Sequence, residues 1–127
     1  MAGEQILVIE DNADNLELVL FLLEQAGFRG VGVSDGRQAL TWLSDHHPDL
    51  ILLDMSLPEI DGWELAGQLK ANTLTREIPV VALTAHTLPG DRKRALDAGC
   101  DGYISKPLDV PHFAETVAGF LRGETPV

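Results

Sequence analysis

Leu50–Pro58 reads LILLDMSLP. Four consecutive apolar residues, Leu50 to Leu53, stop at a carboxylate, Asp54. A run of this length and composition is the signature of a strand buried on both faces of a parallel sheet. The break at Asp54 places an acidic group at the carboxyl end of that strand, where open α/β sheets keep their ligand sites. The pattern recurs on either side. Ile6–Ile9 ends at Glu10 and Asp11, Pro79–Leu83 ends at Thr84, and Gly102–Ser105 ends at Lys106-Pro107. A weaker strand is expected over Gly30–Val33.

Helical stretches separate these strands. Asn12 is a plausible N-cap for the first helix, which runs to near Gly27 with Leu16, Val19, Leu20 and Leu23 as its core stripe. Gly36–Ser44, Trp63–Lys70 and a stretch from Asp91 to just before Gly99 supply the next three. The turn Leu57–Gly62 is punctuated by Pro58 and Asp61-Gly62. The last helix is expected to open at Pro111 and turn Phe113, Val117, Phe120 and Leu121 inward, and the short tail 123–127 is expected to fray. Five βα units with buried strands imply a doubly wound α/β fold with a parallel sheet and helices on both faces. Periodicity alone does not fix the strand order; the flavodoxin-like order 2-1-3-4-5 is the one expected.

Composition narrows the function classes. The 127 residues are 45% hydrophobic and 23% charged, enough for one domain with a full core. A net charge of −11 argues against a direct nucleic-acid partner and suits a divalent cation or a basic protein surface. No apolar run approaches the roughly 20 residues that span a bilayer. Acidic Glu4 directly after Met-Ala-Gly does not suit a signal peptide. Cys100 is the one cysteine, so a reducing, cytoplasmic setting is expected.

The proposed strand order brings Glu10, Asp11, Asp54, Thr84 and Lys106 to one sheet edge. Three carboxylates there repel one another unless a cation sits among them. Mg²⁺, with Mn²⁺ as a substitute, answers that need. Lys106 then offers a positive point charge and Thr84 a hydroxyl donor to phosphoryl oxygens, with Asp54 as the candidate nucleophile.

The stretches ILVIEDN (6–12), LILLDMSLPEIDG (50–62), VVALTA (80–85) and GYISKP (102–107) resemble the CheY-like receiver domain of bacterial response regulators, over residues 5–121. The length and GCDGYISKPLDVPHF (99–113) look most like the stand-alone DivK-type regulators. The resemblance implies Asp54 as phosphoacceptor. Asp11 and Asp54 would be direct metal ligands, Glu10 would act through water, and Ser56 would lend its backbone carbonyl. Thr84 and Tyr103 would form a switch pair, and Lys106–Pro107 a cis peptide that aims the lysine. Ser56 and His86 occupy the positions that tune phosphoryl lifetime in the family.

The implied partners are a sensor histidine kinase or histidine phosphotransfer protein upstream, and downstream a protein target met by the fourth helix, fifth strand and fifth helix. The chain is expected to be a single receiver domain, 1–127, with self-catalysed phosphorylation and dephosphorylation only. A receiver cut from a hybrid kinase or a transcription factor is the alternative. Aspartyl-phosphate phosphatases of the haloacid dehalogenase type fit less well, since they need a second Asp where this chain has Ser56.

Four further features carry expectations. His46, His47 and His112 lack a shared metal-ligand arrangement and read as surface or interface residues, and Cys100 as a small buried hydrophobe. Trp42 and Trp63 read as helix-to-sheet packing. Arg92, Lys93 and Arg94 form a basic cluster on the fourth helix, a solvated face or a steering surface for an acidic partner. Leu18, Phe21 and Leu22 exceed the stripe of the first helix. They are expected to pack on the fifth helix, or else to form an exposed patch for a helical partner.

Overall fold

In a computed structural model, residues 3–54, 62–84, 97, 99–105 and 108–122 are described, with backbone alone for Gly62, Trp63, Thr84 and Ser105. Strands β1 (Gln5–Ile9), β2 (Arg29–Val33), β3 (Leu50–Asp54), β4 (Val80–Thr84) and β5 (Gly102–Ser105) form one sheet. All four pairings are parallel and the order is β2-β1-β3-β4-β5. The central position of β3 explains its composition. Leu50, Ile51, Leu52 and Leu53 are all wholly buried, each contributing roughly 1.5–3 kcal/mol relative to exposure.

Strand alternation sorts the core into two clusters. Leu7, Ile9, Ile51, Leu53, Val80 and Ala82 meet helices α2 (Gly36–Leu43) and α3 (Gly62–Ala71) through Ala39, Leu43, Leu65, Ala66 and Leu69. Ile6, Val8, Leu50, Leu52, Val81 and Leu83 meet α1 (Ala13–Gln25) and the C-terminal helix (Val110–Leu121) on the opposite face. There Val19 and Leu23 face Phe113, Val117 and Phe120 across the same apolar layer.

The helix boundaries follow the expected capping chemistry. Asn12 caps α1, its side chain accepting from the Asn15 N–H at 3.0 Å. Asp35 caps α2, accepting from the Gln38 N–H at 2.8 Å. The C-terminal helix begins one residue earlier than expected, at Val110, with Pro111 still in its first turn, where a missing N–H costs nothing. The fourth helix, with its Arg92–Arg94 cluster, lies outside the described residues except for exposed, helical Asp97. The turn at 57–62 and the tail 123–127 also lie outside them, Gly62 apart.

Two chemical details were not legible beforehand. The Lys70 ammonium, at the end of α3, meets the Asp101 carboxylate at 2.7 Å and donates to the Ile78 carbonyl at 2.8 Å. Asp101 also accepts from the Val80 N–H at 2.8 Å, so one carboxylate fastens the amino ends of β4 and β5 to α3. Beside it Cys100 is 4% exposed, and burial, reinforced by Asp101 against the opposing charge of Lys70, pushes its thiol from 9.0 up to about 12.

Only about one Cys100 thiol in 10⁴ is then ionised at pH 8 in the folded chain. Iodoacetamide should leave native Cys100 unmodified at that pH and alkylate it in denaturant, as read by intact mass. Equal labelling in both states would contradict the burial. The unfolded thiol ionises at lower pH than the folded one, so stability from this group falls as pH rises from 9.0 toward about 12.

Candidate functional site

The site lies at the carboxyl ends of the strands. Ile9 pairs with Leu53, so Glu10, which follows β1, stands beside Asp54, the last residue of β3. Asp54 is in register with Leu83, and Thr84 with Ser105, which brings the ends of β4 and β5 to the same edge. The fold thus aligns the four strand ends from which the sequence drew its candidates.

Glu10 and Asp54 are each 1% exposed, while Asp11 is exposed. The local backbone explains how a glutamate is held there. The Glu10 N–H donates to the Val33 carbonyl at 3.0 Å, and its carboxylate accepts from the Asn12 N–H at 3.3 Å. One side chain therefore both closes the β1–α1 turn and faces the site. Carboxylate oxygens of Glu10, Asp11 and Asp54 all lie within 4.8 Å of one another.

Their spacing and donor type can be tested against a metal. Mg²⁺ binds oxygen at about 2.0–2.1 Å, so oxygens on opposite sides of the ion lie about 4.2 Å apart. Three carboxylates at this spacing fit a hard divalent ion that keeps part of its water shell. They are also the donor chemistry such an ion selects. Without a cation, three negative charges at this separation repel by about 1 kcal/mol per pair in water and more where solvent is excluded.

The remaining expected positions divide by what is described. The backbone of Thr84 ends β4 as expected. Tyr103, on β5, is half-buried against the α2–α3 cluster. Ser56, His86, Lys106 and Pro107 lie outside the described residues. His46, His47 and His112 are exposed, as expected of surface residues. The His46 ring stacks on Trp42 at 4.3 Å, and Trp42 packs on the α2–α3 cluster, in line with its expected packing role. The side chain of Trp63 is outside the described residues.

The apolar surplus of α1 is split. Leu22 joins the cluster shared with the C-terminal helix, but Leu18 and Phe21 stay 41% and 57% exposed. The expectation that all three pack on that helix is corrected for these two. Leu16 and Leu18 to Leu23 are seven apolar positions that span more of the helix circumference than its packing partners cover.

Comparisons with known proteins point the same way. The response regulator receiver domain family matches residues 6–118. The polar-differentiation response regulator DivK of Brucella ovis is 42% identical over 118 residues, covering 93% of this chain and 96% of that protein. A receiver domain of a signal transduction histidine kinase from Syntrophus aciditrophicus superposes with a TM-score of 0.86 at 38% identity, covering 94% of this chain and 91% of that one. The receiver domain of a sensor histidine kinase from Pseudomonas aeruginosa PAO1 has a TM-score of 0.85 and 34% identity, covering 97% and 100%. That structure has a magnesium ion coordinated in its active site cleft. Among the described residues no helix of this chain is long and apolar enough to cross a membrane.

Proposed function

The chain belongs to the response regulator receiver domain family, and from that premise we propose that it is a phosphorylation-dependent switch whose phosphoacceptor is Asp54. Receiver domains are signalling proteins of two-component systems, not classical enzymes, and they work with histidine kinases and downstream targets. The observation that carries the assignment is the buried Asp54 carboxylate within 4.8 Å of both Glu10 and Asp11 at the ends of β1 and β3.

In this reading Asp11 and Asp54 would hold a Mg²⁺ ion directly, Glu10 would act through a water molecule, and the Ser56 carbonyl would complete the protein's share. When bound, the ion neutralises charge on the transferred phosphoryl group. An Asp54 oxygen attacks the phosphorus of a phosphohistidine on a sensor kinase or phosphotransfer protein. The O–P bond forms as the P–N bond breaks, and the released imidazole nitrogen takes a proton from solvent. Lys106 contacts one phosphoryl oxygen and the Thr84 hydroxyl another. Hydrolysis later returns the free carboxylate, at a rate set in part by Ser56 and His86.

The modification replaces one carboxylate charge with a dianionic phosphoryl group, a net gain of about one negative charge carried farther out, where Thr84 can answer it. Thr84 moves toward the phosphoryl group and Tyr103 turns inward. That shifts the population of the face built by the fourth helix, β5 and the C-terminal helix, where a downstream protein binds. The scheme is the same for a free-standing receiver and for one within a longer protein.

Mg²⁺ with acetyl phosphate should add a single phosphate, mapped to Asp54 by intact mass and borohydride trapping. EDTA should abolish the adduct. An adduct elsewhere, or none in Mg²⁺ together with no binding of beryllofluoride, would refute the assignment.

A further inference from the structure

The outer edge of β2 is open, and its geometry is particular. Among the described residues β2 pairs with β1 alone. The Arg29 N–H donates to the Glu4 carbonyl at 2.8 Å, and the Val33 carbonyl accepts from Glu10. Successive residues of a parallel ladder direct their backbone groups to opposite sides, so Arg29, Val31 and Val33 face β1. The N–H and C=O groups of Gly30 and Gly32 therefore point away from the sheet.

Natural sheets usually guard such an edge with charged side chains, proline or a bulge. Here both outward-bonding residues are glycines, and Gly32 is exposed. Neither carries a side chain on the α1 face, because α1 sits too close. A Cβ on Gly30 would come within 2.8 Å of Leu20, and one on Gly32 within 2.9 Å of Leu16. Val31 and Val33 pack on the opposite, α2–α3 face, so Arg29 belongs to that side too. The outer surface of α1 carries a groove of about 340 Å³ lined by Glu17, Leu20, Phe21, Glu24 and Gln25, and its Leu20 is the side chain that a Cβ on Gly30 or Gly32 would meet. It combines an apolar floor with carboxylates about two turns apart.

We propose that this edge docks an extended, basic segment of a partner protein as an added strand. Gly30 and Gly32 supply its backbone hydrogen bonds, and the α1 groove reads its side chains. Charge selects the occupant. Glu17 and Glu24 stand about 10.5 Å apart along the helix. Residues i and i+4 of a strand are about 13 Å apart, a difference that flexible lysine stems absorb. The matching pattern is basic–x–aliphatic–x–basic, the aliphatic residue lying on Leu20 and Phe21. A second copy of this chain suits the edge poorly. Pairing β2 with β2 would bring the Glu17 and Glu24 pairs of two chains, each of net charge −11, to one junction.

The test uses the ¹⁵N-labelled full chain and the peptide acetyl-TKTVTKT-amide at low ionic strength. The Gly30 and Gly32 amide resonances should move on titration and exchange with D₂O at least about tenfold more slowly. The double variant Glu17→Lys/Glu24→Lys should weaken binding at least about tenfold and leave the acetyl phosphate reaction unchanged. A peptide N-methylated at alternate residues, unable to pair with a strand, should not bind. Equal affinity of the N-methylated peptide would reduce the contact to charge alone and overturn the proposal. No binding at millimolar peptide would also overturn it, as would shifts confined to another face. Concentration-dependent protection of Gly30 and Gly32 without peptide would do the same, by showing that a second copy covers the edge.

Discussion

Asp54→Asn should take up no phosphate from acetyl phosphate and, in EDTA, should be more stable than the parent chain by about 1–2 kcal/mol. Both results have one cause. Asp54 is buried against two further carboxylates within 4.8 Å, an arrangement suited to holding a cation and unfavourable without one. Asparagine keeps the shape and removes one negative charge, relieving two repulsions at the cost of a nucleophile. For a domain of this size the gain corresponds to a melting temperature about 4–8 °C higher. Adding Mg²⁺ should then favour the parent, because a ligand at free concentration c stabilises the state that binds it by RT ln(1 + c/Kd), which is larger for the tighter binder. Denaturant titrations with and without Mg²⁺ measure both terms. A variant less stable than the parent in EDTA would mean that attraction from groups around Asp54 outweighs the repulsion, and a persisting adduct would move the acceptor elsewhere.

Gly102→Ala should destabilise the fold by about 2 kcal/mol, lowering the melting temperature by about 8 °C. A Cβ on Gly102 would lie 2.2 Å from Cε1 and 2.6 Å from Cζ of Phe120. That ring is 5% exposed and sits in the last turn of the C-terminal helix, packed with Phe113 and Val117 on the sheet. It can yield only by moving the helix end away from β5. Adding Phe120→Leu to the alanine variant should restore part of the loss, although Phe120→Leu alone costs stability by leaving a void. This non-additivity identifies the contact. Independent, summed losses in the double variant would place the strain elsewhere.

Both variants bear on how much of the molecule can be read from its sequence. The sheet was legible because its central strands are buried on both faces, which leaves no polar position in LILL, ILVI or VVAL. The acidic trio was legible for a related reason. Each carboxylate stands where an apolar run stops, and parallel topology brings such stops to one edge. β2 was harder, since glycines replace the side chains that announce a strand, and their reason lies in Leu16 and Leu20 of another element. Gly102 was silent for the same cause, its constraint being a ring at Phe120. The Lys70–Asp101 pair joins residues with no local pattern between them. Periodicity reveals which face of a helix is apolar but not how much of it a neighbour covers, so the exposure of Phe21 is set by the packing of the whole fold.

The partition of the core by strand alternation also governs how substitutions combine. Ile51 and Leu53 belong with α2 and α3, whereas Leu50 and Leu52 belong with α1 and the C-terminal helix. Neighbours in the chain thus answer to different packing partners and share little beyond the backbone of one strand. A change of volume on one face is absorbed or refused there, and its energy adds to that of a change on the other where the two sites lie more than about 7–10 Å apart. The two layers can be repacked as separate problems, which makes this small domain, for engineering, two half-cores back to back.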